Sequence, residues 1–317
     1  RYGNRWVAVS NNLAYSEPLE PQSQNEFSAS TNRMIKTGVN YDTVGNQKQD
    51  DGFTLGYDAE NRNTAISGNG ASGMYAYDGN GRRVKKVWTP AGQASQTTFY
   101  VYDALGRLAA EYSSEAPSAT DAVYSLTDML GSVRAVLSES GQVTECYDYL
   151  PFGRMLNASD NGRSALNCFP AYPGTHADTA IAQNFTSKER DPETGLDYFG
   201  FRYYSSPQGR FTTPDPENAG AMEDDPQSWN GYAYARNNPL KYTDPYGLAY
   251  QLCTPGGGCI YDYSDSDFYW YFQSDPSVTP ENGTIWANGQ IIGYYSHLYD
   301  DPWTTQLKEA FTNNHLP

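Results

Sequence analysis

The sequence contains no long hydrophobic run. No stretch of 18 apolar residues occurs, and the first residues, RYGNRWVAVS, lack the apolar core of a signal peptide. Because a helix that crosses a bilayer needs about 20 mostly apolar residues, the sequence predicts no membrane span. Arg1 is not a typical native start, so we expect the chain to be the C-terminal part of a longer protein, whose N-terminal part is missing here.

Basic residues are also scarce. The chain has 21 Lys and Arg against 37 Asp and Glu, which gives a formal net charge of −16. Proteins that bind nucleic acid generally need a basic face that neutralises phosphates. The composition therefore argues against a general nucleic-acid-binding role and favours proteins, cations or sugars as partners.

Cysteine and histidine are few, with four and three residues respectively. Their spacing matches no metal-binding pattern, so the sequence predicts no metal site, and nothing in it implies an organic cofactor. Cys146 and Cys168 lie far apart in the sequence, whereas Cys253 and Cys259 flank the flexible segment TPGGG. A hairpin there would bring Cys253 and Cys259 within disulfide reach, which makes this pair the candidate disulfide. Such a bond would favour an oxidising compartment.

Aromatic and turn-forming residues are abundant instead. The 317 residues include 28 Tyr, 12 Phe and 6 Trp, together with 29 Gly and 19 Pro. The length is enough for one large or two ordinary domains, each with its own core. A core that is largely aromatic, combined with many turns, is typical of an all-β protein and not of a helical bundle.

A loose repeat built on Tyr-Asp pairs runs through the first part of the chain. Its units begin at Tyr41, Tyr57, Tyr77 and Tyr102, with a degenerate copy at Thr127, and successive starts lie 16, 20, 25 and 25 residues apart. This spacing predicts one β-hairpin for each unit. We expect the Tyr to end a strand, the Asp to cap the following turn by accepting backbone N–H groups, and the Gly to supply a positive φ.

Several longer motifs follow the repeats in order: LGSVRAVL, YDYLPFGR and FTSKERDPETGLDYFGFRYYSSPQGRF. Together with the repeats they resemble the RHS/YD-repeat family and its RHS repeat-associated core domain over nearly all of residues 1–248. The resemblance implies an all-β fold, in which YD hairpins form a sheet that spirals into a hollow shell closed by the core domain. It divides the chain into repeats at 1–129, the core domain at 130–248 and a small, mixed, variable tail at 249–317.

In toxin members of that family the core domain acts as an aspartyl autoprotease that releases an enclosed C-terminal effector. Carried onto this chain, the resemblance implies Asp215 and Asp244 as the catalytic pair and Arg210 as their electrostatic partner. The implied cleavage lies between Leu248 and Ala249, as a single turnover on a tethered substrate.

Two neighbouring carboxylates suit amide hydrolysis, because one can stay ionised to activate water while the other is protonated. The first Asp-Pro unit departs from the family pattern, since Asn218 stands where Gly is expected. The alternative is that both Asp-Pro units, at Asp215 and Asp244, only begin turns.

Two functions remain open from the sequence. The first is a bacterial, secreted or cell-surface shell that encloses its own C-terminal tail and releases it in toxin delivery or intercellular competition. The second is an extracellular structural, adhesion or filament-forming protein, which contacts glycans or further copies of itself and is not cleaved. In the tail, TIWANGQIIGYY at 284–295 predicts a hairpin, and Asp301-Pro302 predicts the start of a helix.

Overall fold

The computed structural model describes most of the chain up to Leu248 and five strands beyond it. No α-helix occurs among these residues, which form β-strands, short 3-10 turns and loops, so the all-β prediction is confirmed. The described residues are 3–7, 19–104, 108–114, 122–160, 163, 167–169, 181–216, 226–248, 251–253, 259–261, 278–281, 284–287 and 290–294. The 3-10 turns lie at Gln24–Glu26, Phe185–Ser187, Pro226–Trp229 and Ala235–Asn237.

The repeats form one antiparallel sheet of seven strands in sequence order. Each strand pairs with the next along the chain, as expected for consecutive hairpins. The strands are β1 (Gln49–Asp50), β2 (Phe53–Tyr57), β3 (Asn63–Gly68), β4 (Ala71–Tyr77), β5 (Arg83–Thr89), β6 (Gln96–Tyr102) and β7 (Leu108–Ser113).

Smaller antiparallel sheets follow the repeat sheet. One has the order β10-β9-β8, a two-stranded sheet joins β11 to β12, and a four-stranded sheet runs from β13 to β16. Their strands are β8 (Val123–Thr127), β9 (Val133–Ser138), β10 (Val143–Cys146), β11 (Asp148–Tyr149), β12 (Met155–Leu156), β13 (Glu189–Arg190), β14 (Leu196–Tyr198), β15 (Tyr203–Ser205) and β16 (Arg210–Phe211).

The repeat unit folds as its sequence predicts. Strands β2, β4 and β6 end at the Tyr of a Tyr-Asp pair. In the turn that follows β2, Asp58 Oδ1 accepts the amides of Glu60 at 2.9 Å and Arg62 at 3.0 Å. Asp78 Oδ1 makes the equivalent bonds after β4. Because these bonds span only two to four residues, the turn is specified locally.

Successive repeats are tied together by the tyrosine hydroxyls. The hydroxyls of three repeat tyrosines each donate to the backbone carbonyl that lies six residues after the preceding repeat tyrosine, as Tyr102 does to Arg83 at 2.9 Å. The guanidinium of Arg82 also lies 5.5 Å from the ring centroid of Tyr102. Buried phenol groups need such hydrogen-bond partners, and the repeat supplies them at a fixed spacing. The other two bonds of this kind join Tyr57 to Gln47 and Tyr77 to Asn63.

Three buried clusters form the core. One is largely aromatic and belongs to the segment after Asn184, with Phe199, Tyr204 and Phe211 among its members. The second joins the repeat sheet to the four-stranded sheet, since Leu55 packs with Leu196. The third lies beneath the β8–β10 sheet. The members of the second cluster are Leu55, Ile66, Tyr75, Leu196 and Tyr203, and those of the third are Val133, Val136, Tyr147 and Met155.

A disulfide joins Cys146 to Cys168. Their separation in the sequence gave no indication of this pairing, but the chain folds back so that the Cys146 amide donates to the Cys168 carbonyl at 2.8 Å. The other two cysteines lie in the sheet formed by β17 (Tyr242–Thr243), β18 (Gln251–Cys253) and β19 (Cys259–Tyr261). Its register places Cys253 opposite Cys259. A disulfide between them stays a prediction.

The described residues of the tail include one further sheet, formed by β20 (Val278–Glu281), β21 (Thr284–Ala287) and β22 (Gln290–Tyr294). Strands β21 and β22 pair with Ala287 opposite Gln290. The predicted hairpin in this segment is therefore confirmed. The helix predicted from Asp301 lies outside the described residues.

Candidate functional site

The second Asp-Pro unit forms a turn around one carboxylate. Asp244 follows β17, and its Oδ1 accepts the amides of Gly247 at 2.6 Å and Leu248 at 3.0 Å. Gly247 has a φ of +75°, a conformation that glycine adopts without steric cost. The sequence DPYGL therefore folds back on its own first side chain, and it holds Leu248 beside that carboxylate.

The structure brings the two predicted carboxylates to one arginine. Nη2 of Arg202 lies 3.4 Å from Asp244 Oδ2 and 3.5 Å from Asp215 Oδ1. Asp215 is fixed in turn by its backbone amide, which donates to the Gly231 carbonyl at 2.7 Å. All three side chains are largely buried, so their charges interact with little screening by water.

Arg202 also binds the backbone on both sides of the carboxylates. Its Nη1 donates to the Gly231 carbonyl at 2.8 Å, and its Nε donates to the Gly247 carbonyl. The guanidinium lies 3.8 Å from the ring centroid of Phe211. A planar group with donors at fixed angles is suited to such a set of acceptors. Sequence reasoning missed this residue, although a lone arginine in the aromatic run DYFGFRYY was a usable signal.

Arg210 does not occupy the position predicted for it. Its Nη2 donates to the Asn32 carbonyl at 2.8 Å, and its guanidinium lies 4.5 Å from the ring centroid of Tyr232. The reason is strand alternation, because Arg210 and Phe211 are neighbours in β16 and point to opposite faces. Phe211 faces Arg202, so Arg210 faces the N-terminal segment. The arginine beside Asp215 and Asp244 is therefore Arg202.

The surroundings of Asp244 raise the pKa of its carboxyl group towards neutral pH. Burial raises the pKa of Asp244 to about 6, and the negative charge of Asp215 adds to that rise. Arg202 and the amides of Gly247 and Leu248 act in the opposite direction by stabilising the ionised form. A carboxyl group with such a pKa can both hold and release a proton near neutral pH.

The arrangement has the elements that acid–base hydrolysis by two carboxylates requires. Asp215 and Asp244 share one cation, and the backbone of Leu248 is bonded to Asp244. Ala249, the other residue of the predicted cleavage, lies outside the described residues. Within the described ranges no group of three or more His, Cys, Asp and Glu side chains is arranged to hold a metal ion. The described residues also include no helix long and apolar enough to cross a membrane.

Comparisons with known proteins agree with this architecture. The family model of the teneurin YD-shell matches residues 48–240. The chain is 29% identical to the tRNA3(Ser)-specific nuclease WapA of Bacillus spizizenii over 255 residues, which is 71% of this chain and 10% of that protein. It is 37% identical to the toxin subunit YenC2 of Yersinia entomophaga over 117 residues, which is 34% of this chain and 11% of that protein.

A solved structure shares the fold. The crystal structure of TcdB2-TccC3-Cdc42 superposes with a TM-score of 0.52 at 23% sequence identity, over 70% of this chain and 12% of that chain. The chain thus spans about a tenth of the length of these relatives. The matches confirm the resemblance to YD-repeat proteins that the sequence motifs indicated.

Proposed function

The chain belongs to the teneurin YD-shell family, and from that premise we propose that it is the C-terminal end of a shell that cuts its own backbone. The cut falls between Leu248 and Ala249 and releases the polypeptide that follows. Relatives named as a toxin subunit and as a nuclease support a role in toxin delivery. The released segment then acts in intercellular competition, and the shell is secreted or displayed at the cell surface.

The observation that carries the proposal is the position of Arg202. A single guanidinium contacts both Asp215 and Asp244 and also binds the carbonyl of Gly247, one residue before the proposed cut. A turn that needed only a cap would use Asp244 alone. Placing a second buried carboxylate at the same cation raises the energy of the folded state, and this cost is common at catalytic sites.

The chemistry follows from the two carboxylates. The raised pKa of Asp244, about 6, lets part of the molecules keep a proton on this carboxyl group near neutral pH, and in these Asp244 serves as the acid while Asp215 accepts a proton from a water molecule. The resulting hydroxide attacks the carbonyl carbon of Leu248, while Asp244 gives its proton to the carbonyl oxygen. The C–N bond to Ala249 then breaks, and the nitrogen leaves with the proton that Asp215 had taken. Asp244 regains its proton as the Leu248 carboxyl group forms.

Because the scissile bond belongs to the same chain, its effective concentration at the site is high. A slow catalyst is therefore sufficient, since each molecule reacts once. The tail beyond the cut has one Lys and no Arg against six Asp and two Glu. This composition disfavours phosphate binding, and we propose that the released segment has a target other than nucleic acid.

The test is the intact mass of the freshly purified full-length chain. We expect fragments of residues 1–248 and 249–317 in the wild type, and one uncut species for Asp244→Asn and for Asp215→Asn. Asp51→Asn, at an exposed position, is the control and should be cut like the wild type. A wild-type chain that stays whole after folding would contradict self-cleavage and favour a structural or adhesion role at the cell surface.

A further inference from the structure

A second cation reaches the same turn from another part of the fold. Nζ of Lys188 donates a hydrogen bond to the carbonyl oxygen of Pro245, the residue directly after Asp244, at 2.5 Å. The ammonium also lies 5.5 Å from the ring centroid of Phe199. The cleavage chemistry described above gives this lysine no part, although it contacts the catalytic turn directly.

Lys188 completes a set of donors along the turn. The carbonyl of Pro245 binds Lys188, the carbonyl of Tyr246 binds the Phe201 amide at 3.1 Å, and the carbonyl of Gly247 binds Arg202. Three successive peptide groups before Leu248 are therefore held by donors from residues 188–202. Such complete fixation exceeds what an exposed surface turn needs, and it is typical of a segment whose position matters for chemistry.

The backbone before Lys188 is held in an uncommon conformation. Thr186 and Ser187 have φ values of +47° and +57°, in the left-handed region that residues other than glycine seldom adopt. The Thr186 amide donates to Ser132 Oγ at 3.0 Å, and Ser187 Oγ donates to the Gly131 carbonyl at 2.7 Å. The LGSVR segment thus braces the turn from which Lys188 extends. Backbone strain that neighbouring groups maintain is common at functional sites.

We propose that Lys188 is a positioning residue of the cleavage site, which anchors the Pro245 carbonyl and places a positive charge beside Asp244. This inference rests on the proposed self-cleavage. Lys188 acts through Asp244 and the turn. Losing the ammonium frees one end of the turn and changes the balance of charge around the two carboxylates.

The charges around Lys188 support this role. Burial lowers the pKa of Lys188 to about 8, and the negative charge of Asp244 partly opposes that change. Beyond Asp244 lie the charges of Arg202 and Asp215, and the buried phenol of Tyr234 is close to both Thr186 and Asp244. On its own segment the next residue, Glu189, turns away to pair with Arg83. Lys188 is therefore protonated at neutral pH and loses its proton as the pH rises past about 8.

The test measures the pH profile of cleavage. Each full-length chain is purified under denaturing conditions and refolded by dilution into buffers between about pH 5 and pH 10, and the cut fraction is followed by intact mass. We expect the wild-type rate to fall above about pH 6, as Asp244 loses its proton, and to fall more steeply above about pH 8, as Lys188 loses its own. Lys188→Met should slow cleavage on the order of 100-fold, the scale of a small misplacement at a reacting centre, and remove the steeper fall above about pH 8.

Two further variants make the outcome decisive. Lys188→Arg keeps the positive charge at all these pH values, so it should show the fall caused by Asp244 but not the steeper fall above about pH 8. Lys48→Met, at an exposed position in the repeats, should behave as the wild type. If Lys188→Met is cut at the wild-type rate with the same pH profile, the role of Lys188 is wrong and self-cleavage stands. If the wild type is never cut, self-cleavage fails, and the role of Lys188 fails with it.

If Lys188→Met loses its native circular dichroism spectrum, its slow cleavage reports only on misfolding. The pH profile of Lys188→Arg, compared with that of the wild type, then tests the proposal. A steeper fall that begins at about pH 8 in Lys188→Arg, as in the wild type, overturns the proposal, because the titration of Lys188 then does not cause it. A steeper fall that is displaced upward by more than about one pH unit supports the proposal.

Discussion

Nη1 of Arg83 lies 2.7 Å from Oδ2 of Asp191, although 108 residues separate them. Arg83 begins β5 of the repeat sheet, and Asp191 directly follows β13 of the four-stranded sheet. Both side chains are fully buried, and the guanidinium also lies 4.4 Å from the ring centroid of Tyr198. The pair therefore fixes how the repeat sheet packs on the segment that carries Arg202.

Replacing Arg83 by Met should strongly destabilise the fold. Asp191 and Glu189 would lose their arginine and keep only Lys86 as a nearby cation. Removing one partner of a buried ion pair typically costs about 3–5 kcal/mol, because the other charge stays buried without compensation. Urea unfolding followed by circular dichroism would measure the change.

The neighbouring arginine provides the control for that experiment. Arg82 pairs with Asp78 at 3.4 Å, where both side chains are 30% exposed. Exposed ion pairs contribute about 0–1 kcal/mol and an exposed cation–π contact, here with the ring of Tyr102, about 0.5–1 kcal/mol, so Arg82→Met should lower the free energy of unfolding by at most about 2 kcal/mol. Equal losses for the Arg82 and Arg83 variants would show that the buried network does not hold the two sheets together.

Glu193 should make the fold less stable as the pH rises from about 4.5 to about 7. Burial raises the pKa of Glu193 to about 7, from an ordinary value of 4.5, and the charge of Asp191 adds to the rise. A carboxyl group that binds its proton more tightly in the folded state stabilises the fold at low pH, and this contribution is lost between about pH 4.5 and pH 7. Glu193→Gln stays neutral throughout, so it should melt above the wild type at pH 8 and alongside it at pH 4.

Thermal melting at the two pH values measures this difference. Glu60→Gln is the matched control, since the Glu60 side chain is 70% exposed and should give no pH-dependent difference from the wild type. If Glu193→Gln melts below the wild type at pH 8, the 3.5 Å contact between Glu193 and Lys86 outweighs the cost of burying the charge.

Arg202→Lys should abolish or severely slow cleavage. A lysine has one compact ammonium, which cannot contact both carboxylates and the carbonyls of Gly231 and Gly247 at once. We expect a loss on the order of 100-fold or more, as for removal of a key electrostatic group from an active site. Intact mass after timed refolding would follow the reaction.

Arg210→Lys distinguishes this effect from a general loss of arginine. Arg210 contacts the rings of Phe27 and Tyr232 and the carbonyl of Asn32, so its replacement should lower stability by about 1–2 kcal/mol through weaker cation–π contacts. Cleavage of the folded Arg210 variant should proceed at the wild-type rate. A block in Arg210→Lys with normal cleavage in Arg202→Lys would restore the assignment that the sequence suggested.

The sequence allowed the repeats to be predicted because their determinants are local. Asp58 and Asp78 bond to amides no more than four residues away, and the tyrosine before each of them ends a strand. The motif order identified the family, and its pattern predicted Asp215 and Asp244 as a pair, which the structure places at one arginine.

The missed features depend on distant contacts instead. Arg202 binds Gly231, Asp244 and Gly247, which follow it by 29, 42 and 45 residues. Separations of this size follow no helix or strand period, so the sequence pattern does not predict these contacts. Arg210 was what the resemblance implied, and nothing in the sequence shows which face of β16 points to the two carboxylates. The pairing of Cys146 with Cys168 likewise depends on how the chain between them folds back.

Gly247→Ala adds only one methyl group, but it should disturb the proposed cleavage site strongly. The φ of +75° places any other residue in a strained conformation, which costs about 1–2 kcal/mol. A Cβ there would also lie 3.1 Å from Cβ of Phe199 and 3.2 Å from the backbone nitrogen of Arg202. Since that nitrogen belongs to the fixed backbone, the turn must move, and it will displace the Gly247 carbonyl from the Arg202 guanidinium.

Gly141→Ala separates the cost of the strained backbone from the cost of the close contacts with Phe199 and Arg202. Gly141 has a φ of +79°, but no atom lies within 4 Å of the position that a Cβ would take. We expect it to lose about 1–2 kcal/mol of stability, measured by urea unfolding, and to be cut at the wild-type rate. Gly247→Ala should lose more stability and should also be cut more slowly. Equal stability losses with unchanged cleavage would mean that the contact between Gly247 and Arg202 has no part in positioning Leu248.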